Sequence, residues 1–282
     1  MTRTRSSSAA GAVVVITGAA RGMGELYARR AVDEGAAAIA LWDVDPVALE
    51  RLAFELTALG ARTHAYVVDL ADRDAVTKTA AQMCEEIGTP DILINNAGIV
   101  RGKLFWEHDP EHDIEATLRV NALAPMWLTR ALLPAMMADT PRPKRILNIA
   151  SAAGTLANPN MSVYAASKWA MVGWSESLRL ELERADGRNV AVTTFLPSYV
   201  STGMFQGARG PLLTPIMRPT QAVNAAWAGM LAGKPIVARP WTVKLAMALR
   251  GVLPTTLWDV IADRVFKVYS SMDHFIGRVD AR

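Results

Sequence analysis

A glycine-spaced turn, Thr17-Gly18-Ala19-Ala20-Arg21-Gly22-Met23-Gly24, lies between the apolar run Ala12–Thr17 and a helical pattern over Gly22–Glu34. A buried strand turning this tightly into a helix opens a parallel α/β sheet. Each glycine has a physical reason there. Gly18 permits the turn, Gly22 lets backbone approach a pyrophosphate, and Gly24 lets the helix pack close to the sheet. The helix N-terminus then presents unpaired N–H groups and the positive end of its dipole to phosphate. A ligand-free turn is the alternative reading of three glycines, and their place after a first strand favours a dinucleotide.

The same alternation continues along the chain. Strands are expected at Ala38–Trp42, Thr63–Val68, Ile92–Asn95, Arg145–Ala150, Val190–Leu196 and Pro235–Ala238. Helices are expected at Pro46–Leu59, Asp72–Ile87, Ile114–Met137, Val163–Arg184 and Gln221–Leu231. Near-continuous apolar strands separated by helices predict an α/β fold, a Rossmann-type doubly wound parallel sheet of about seven strands. The expected organisation is a flexible tail over 1–10 and one dinucleotide-binding catalytic domain over 11–240. A helical extension over 241–282 follows, read as helices Trp241–Leu253 and Thr255–Tyr269.

Composition narrows the function classes. A length of 282 residues suits one large α/β domain with an elaboration. The single cysteine, Cys84, excludes an internal disulfide scaffold, and one Cys with four scattered His predicts no metal site. A net charge of +3 is too small to argue for nucleic acid. No stretch reaches the roughly 18 apolar residues of a spanning helix, so a cytoplasmic protein is the expectation.

Asp43 ends the second strand, 25 residues past Gly18. A carboxylate there accepts hydrogen bonds from ribose hydroxyls and repels a 2′-phosphate, which favours NAD over NADP. Arg21 in the glycine loop is the counter-signal, since it could reach a 2′-phosphate. Asp45, followed by Pro46, fits the cap of the next helix.

Tyr164 and Lys168 stand four residues apart on one helix face, and Ser151 follows the fifth strand. A phenol titrates near 10 unaided, and a neighbouring ammonium lowers that value. Tyr164 can then exchange a proton with an alcohol or carbonyl oxygen that Ser151 also holds.

With those residues in place, the chain resembles the short-chain dehydrogenase/reductase family in its shorter, single-domain branch. The likeness rests on TGAARGMG at 17–24, LWD at 41–43, Asp69-Leu70, NNAG at 95–98, Asn121, Ser151, the Tyr164/Lys168 pair and Pro197–Thr202. The resemblance implies that Gly18, Arg21, Gly22, Met23, Gly24, Asp43 and Val44 hold NAD, with Asp69 and Leu70 near the adenine. It implies that Asn96, Ala97 and Gly98 line the cofactor site. Pro197, Val200 and Thr202 would cover the nicotinamide, beside Tyr164 and Lys168. Asn121 would be the fourth catalytic residue, positioning Lys168 through water. Ser198 departs from the family, which usually has Gly there.

The variable segment 203–219 reads as a substrate lid. It is rich in Met, Leu, Phe and Pro, carries Arg209 and Arg218, and has no acid. That favours a hydrophobic alcohol or ketone as substrate. From Ser201 onward ten basic side chains face four acidic ones, a balance of +6. The basic apolar helices of 241–282 fit a homodimer or homotetramer interface or a cover over the pocket, with peripheral membrane contact as the other reading. The tail and LWD are loosely similar to the hydroxysteroid and retinol dehydrogenase-like branch. The expected function is NAD-dependent interconversion of a secondary alcohol and its ketone. The alternatives are an NADPH-dependent ketoreductase and a non-catalytic dinucleotide sensor.

Overall fold

The computed structural model of the chain describes residues 8–185 and 189–277. Seven strands form one parallel sheet: β1 Val13–Thr17, β2 Ala38–Asp43, β3 Thr63–Val67, β4 Ile92–Asn95, β5 Lys144–Ile149, β6 Val190–Pro197 and β7 Ile236–Arg239. Their order is β3-β2-β1-β4-β5-β6-β7, so the chain reverses direction across the sheet once, between β1 and β4. This is the doubly wound arrangement, and ligands bind such sheets in the crevice beyond the strand ends at that reversal.

Alternate side chains of each strand serve opposite faces. Val14 and Ile16 of β1 pack with Tyr27, Leu49, Leu52 and Trp227, whereas Val15 packs with Val76, Met83 and Leu128 on the other side. The first face is covered by α1 Gly22–Asp33, α2 Pro46–Ala58 and, after the lid, a helix over Pro219–Leu231. The second is covered by α3 Arg73–Ile87 and later helices that include Ser162–Arg184. Asp45 caps α2 as expected, accepting from the Ala48 amide at 3.0 Å.

Three expectations are corrected. The helix over Ile114–Met137 is a longer, interrupted run. A wide π turn at Pro110–Glu115 leads into the single turn α4 Ala116–Leu118, and a second π turn at Arg119–Leu123 precedes α5 Ala124–Ala138. The apolar spacing is helical throughout, and it does not report the change in hydrogen-bond step. Next comes the helix of catalytic interest, α6 Ser162–Arg184, followed by α7 Pro219–Leu231. In the extension, α8 spans Trp241–Val252 and α9 only Thr255–Val260, continued by a π turn to Val265; Tyr269 lies beyond it. Finally, part of the supposed flexible tail is packed. Ala9 is buried in the core, and its amide donates to Glu34 Oε2 at 2.8 Å. The remainder of that tail, residues 1–7, and the end of the extension, residues 278–282, lie outside the described residues. Among the described residues no helix is long and apolar enough to cross a membrane.

Candidate active site

The strand ends carry a cleft of about 690 Å³. Its walls include Gly18, Arg21, Gly22, Met23, Asp43, Val44, Asp69, Leu70, Asn96, Ala97, Gly98, Ser151, Tyr164, Lys168, Pro197, Val200 and Thr202. Two expected site residues stand behind the walls. Gly24 lies under the loop, and Asn121 lies behind Gly98.

The glycine loop is built as its spacing requires. Gly18 has φ +62°, and a Cβ on Gly24 would fall 1.9 Å from the Gly18 carbonyl oxygen, so neither position accepts a side chain. Thr17 ties the loop to the neighbouring strand. Its hydroxyl oxygen accepts from the Asn96 and Ala97 amides at 3.0 and 3.1 Å, and Asn96 Nδ2 donates back to the Thr17 carbonyl at 2.9 Å. No side chain caps the N-terminus of α1, whose first N–H groups are left for a ligand. This cradle fits a pyrophosphate.

At the other end of the loop, Asp43 is buried and accepts from the Ala20 amide at 2.9 Å and the Asp45 amide at 3.1 Å. A carboxylate has about four lone-pair positions, so acceptor capacity remains for hydroxyl groups. Arg21, the expected rival for a 2′-phosphate, is ion-paired with Asp45.

Ser151, Tyr164 and Lys168 converge where the cleft meets α6. Lys168 Nζ donates to the Ile149 carbonyl at 2.9 Å and lies 5.8 Å from the centre of the Tyr164 ring. Asn121 sits in the π turn before α5, where the side chain bridges two segments. Its Oδ1 accepts from the Ile99 amide at 2.8 Å, and its Nδ2 donates to the Ile99 carbonyl and to Ser167 Oγ. A Cβ on Gly98 would be 3.3 Å from Asn121 Oδ1 and 3.5 Å from Lys168 Nζ, so the bare backbone lets both groups pack against it.

The electrostatics differ from the expectation that the ammonium dominates. Burial pushes the Tyr164 phenol above its ordinary range, with hydrogen bonding to Ser151 opposing that shift. Burial also brings the Lys168 ammonium down to about 8. Both groups leave water, and desolvation disfavours the charged form of each.

Beside the cleft lies a narrow apolar cavity of about 100 Å³. Ser151, Ser198 and Phe205 line both spaces. The cavity's other walls come from Leu156, Met161 and Tyr199, from lid residues Pro211 and Leu213, and from the extension through Trp241, Val243, Leu245, Trp258 and Phe266. The extension therefore covers the pocket. Phe205 meets Tyr164 edge-on at 5.7 Å and Tyr199 at 5.3 Å. Asn158 Nδ2 and the Tyr199 hydroxyl both reach Ser271 Oγ, at 2.9 and 2.8 Å. Phe275, Ile276 and Gly277 reach back to the cofactor cleft, where the Phe275 ring fills the space beside Gly102. None of these lid and extension residues was singled out as a site residue by its spacing. The only signal was the apolar excess of the two segments.

The family model for short chain dehydrogenase matches residues 12–211. Estradiol 17-beta-dehydrogenase 11 of Homo sapiens is 34% identical over 262 residues, covering 93% of this chain and 85% of that protein. Epidermal retinol dehydrogenase 2 of Mus musculus is 35% identical over 274 residues, covering 95% and 86%. Among solved structures, a short chain dehydrogenase/reductase from Burkholderia phymatum in complex with NAD aligns with TM-score 0.78 at 27% identity, covering 86% of this chain and 94% of that one. A metagenomic short-chain oxidoreductase in complex with NADP aligns with TM-score 0.67 at 30% identity, covering 82% and 96%.

Proposed function

The chain belongs to the short chain dehydrogenase family, and on that footing we propose that it is an NAD-dependent oxidoreductase interconverting a hydrophobic secondary alcohol and its ketone. The observation that carries this reading is the junction of two spaces. Ser151 lines both a dinucleotide-sized cleft and an apolar cavity, with Tyr164 in the cleft wall beside it. The steroid- and retinol-directed names of the relatives support a bulky apolar substrate.

A bound nicotinamide dinucleotide supplies or accepts the hydride. The protein supplies position and protons. Ser151 and Tyr164 hold the substrate oxygen from one side, so that its carbon faces the cleft. Tyr164, protonated at neutral pH because burial raises its pKa, gives its proton to the ketone oxygen in reduction and takes one from the alcohol in oxidation. Lys168 steadies the phenolate that reduction leaves behind. Asn121, through its π turn, fixes the loop that packs against Lys168. Pro197, Val200 and Thr202, together with Phe205, exclude water from the reacting atoms.

The NAD preference rests on Asp43, whose carboxylate forms part of the cleft wall while Arg21 is occupied by Asp45. NADH is therefore used with higher kcat/KM than NADPH, and Asp43→Ser narrows the ratio by at least about tenfold.

The decisive test is Tyr164→Phe. Turnover across an alcohol and ketone panel should fall by about 10² to 10⁴, while NADH still binds by fluorescence titration. Retained turnover overturns the assignment. A wild-type protein that binds NADH and turns over nothing in the panel is a sensor instead.

A further inference from the structure

Helix α8 is apolar on two sides. Its inner side, with Val243 and Met247, packs against the sheet's end. Its outer side carries Trp241, Leu245, Ala248 and Val252, spaced i, i+4, i+7 and i+11, which is one face of an α-helix. All four are exposed, Trp241 at 65% and Val252 at 83%. A helix with this distribution is ordinarily covered on both sides.

The stripe is continuous with the cavity. Trp241 and Leu245 are both exposed and part of the cavity wall, as is Leu213 of the lid at 66% exposure. They mark its mouth. The lid is fixed to this end of α8 by the Thr214–Thr242 hydroxyl pair at 2.9 Å, and Leu212 and Ile216 are exposed beside it.

Charge follows the same pattern. Between Asp186 and Asp259 the chain has no carboxylate side chain, while Arg209, Arg218, Arg239, Lys244 and Arg250 fall within lid, β7 and α8. Lys244 is exposed on α8 beside the stripe, Arg209 is exposed within the lid, and Arg218 is exposed near the lid's end. The first carboxylate after this stretch, Asp259, accepts from the Tyr269 hydroxyl.

We propose that the cavity mouth docks on an anionic lipid surface through the outer stripe of α8 and lid residues Leu212, Leu213 and Ile216. Indole and aliphatic side chains enter the interface, and the surrounding lysine and arginine side chains meet lipid phosphates. A second copy of the chain on the same stripe would cover Trp241 and Leu245 and with them the mouth. A lipid surface instead delivers an apolar substrate straight into it. The consequence for substrate entry rests on the hydride-transfer reading; the docking itself does not.

The test is co-sedimentation of the full chain with phosphatidylcholine vesicles, with and without phosphatidylserine, at low and high salt. The comparison protein is Ala248→Glu/Val252→Glu, altered on the stripe outside the cavity wall. Wild type should sediment with phosphatidylserine vesicles at low salt and be released by high salt. The double variant should bind at least about tenfold more weakly at unchanged thermal midpoint. Absence of wild-type binding to anionic vesicles overturns the proposal, as does binding that the double variant leaves intact. If the variant instead shifts the molecular mass from oligomer to monomer while wild type ignores vesicles, the stripe is an interface between copies. No arm reads turnover, so failure here leaves the Tyr164→Phe experiment to judge the chemistry separately.

Discussion

Lys168 lies buried beside Tyr164, and loss of water acts on the pair in opposite directions, raising the phenol and lowering the ammonium to about 8. For reduction, kcat/KM should therefore fall as pH rises through about 8, where Lys168 loses the charge that steadies the Tyr164 phenolate formed by proton donation; a pH profile reads this limb, and Lys168→Arg moves it upward. Stability has the reverse sign. The unfolded Lys168 holds its proton up to about 10.5, so between about pH 8 and 10.5 the unfolded state binds more protons. Wild type should gain stability relative to Lys168→Met across that window, by up to about 3 kcal/mol, in denaturant titrations at several pH values. At this scale the glycine loop was legible because backbone demands, such as the 1.9 Å approach at Gly24, leave one residue type acceptable, whereas Asn95–Gly98 stood out only through the family resemblance. Phe205 and Phe275 were not, because their aromatic partners lie far away in the chain and are chosen by tertiary packing.

Elements were legible wherever their period matched a single geometry. Every strand and most helices fall within one or two residues of expectation; β1, β2 and β4, buried between the two helix layers, read as near-continuous apolar runs. The run from Pro110 to Ala138 was not, because its π turns keep helical spacing while displacing Asn121 toward Ile99. At the opposite end of the strands, β5 begins with a fully buried lysine. Lys144 Nζ donates to Asp91 Oδ1 at 2.8 Å and also pairs with Asp139, while Asp91 Oδ2 accepts from the Val13 amide that starts β1. One carboxylate thus joins β1, β4 and β5. Lys144→Met removes the nearer of the two cations at the buried Asp91 and leaves only Arg142, half exposed and 4.0 Å away; unfolding free energy should drop by about 3 kcal/mol in urea titrations, with NADH affinity of the folded fraction unchanged.

Over the whole molecule, the cavity draws its walls from three stretches distant in sequence, around 151–161, 198–214 and 241–271. The cluster of Leu156, Trp258 and Ala262 is separate from the two cores that flank the sheet. Removing residues 255–282 should accordingly preserve the sheet's cooperative thermal transition while raising KM for apolar substrates by at least about tenfold, a split that calorimetry and kinetics read together. The strand order has a further effect during synthesis. β2 can add to β1, β3 to β2, β4 to the free side of β1, and then β5, β6 and β7 each to the strand before. Every strand leaving the ribosome finds a vacant edge, and no existing pair has to part to admit a newcomer. The lid waits between β6 and β7, and the extension, following β7, settles upon a sheet already complete.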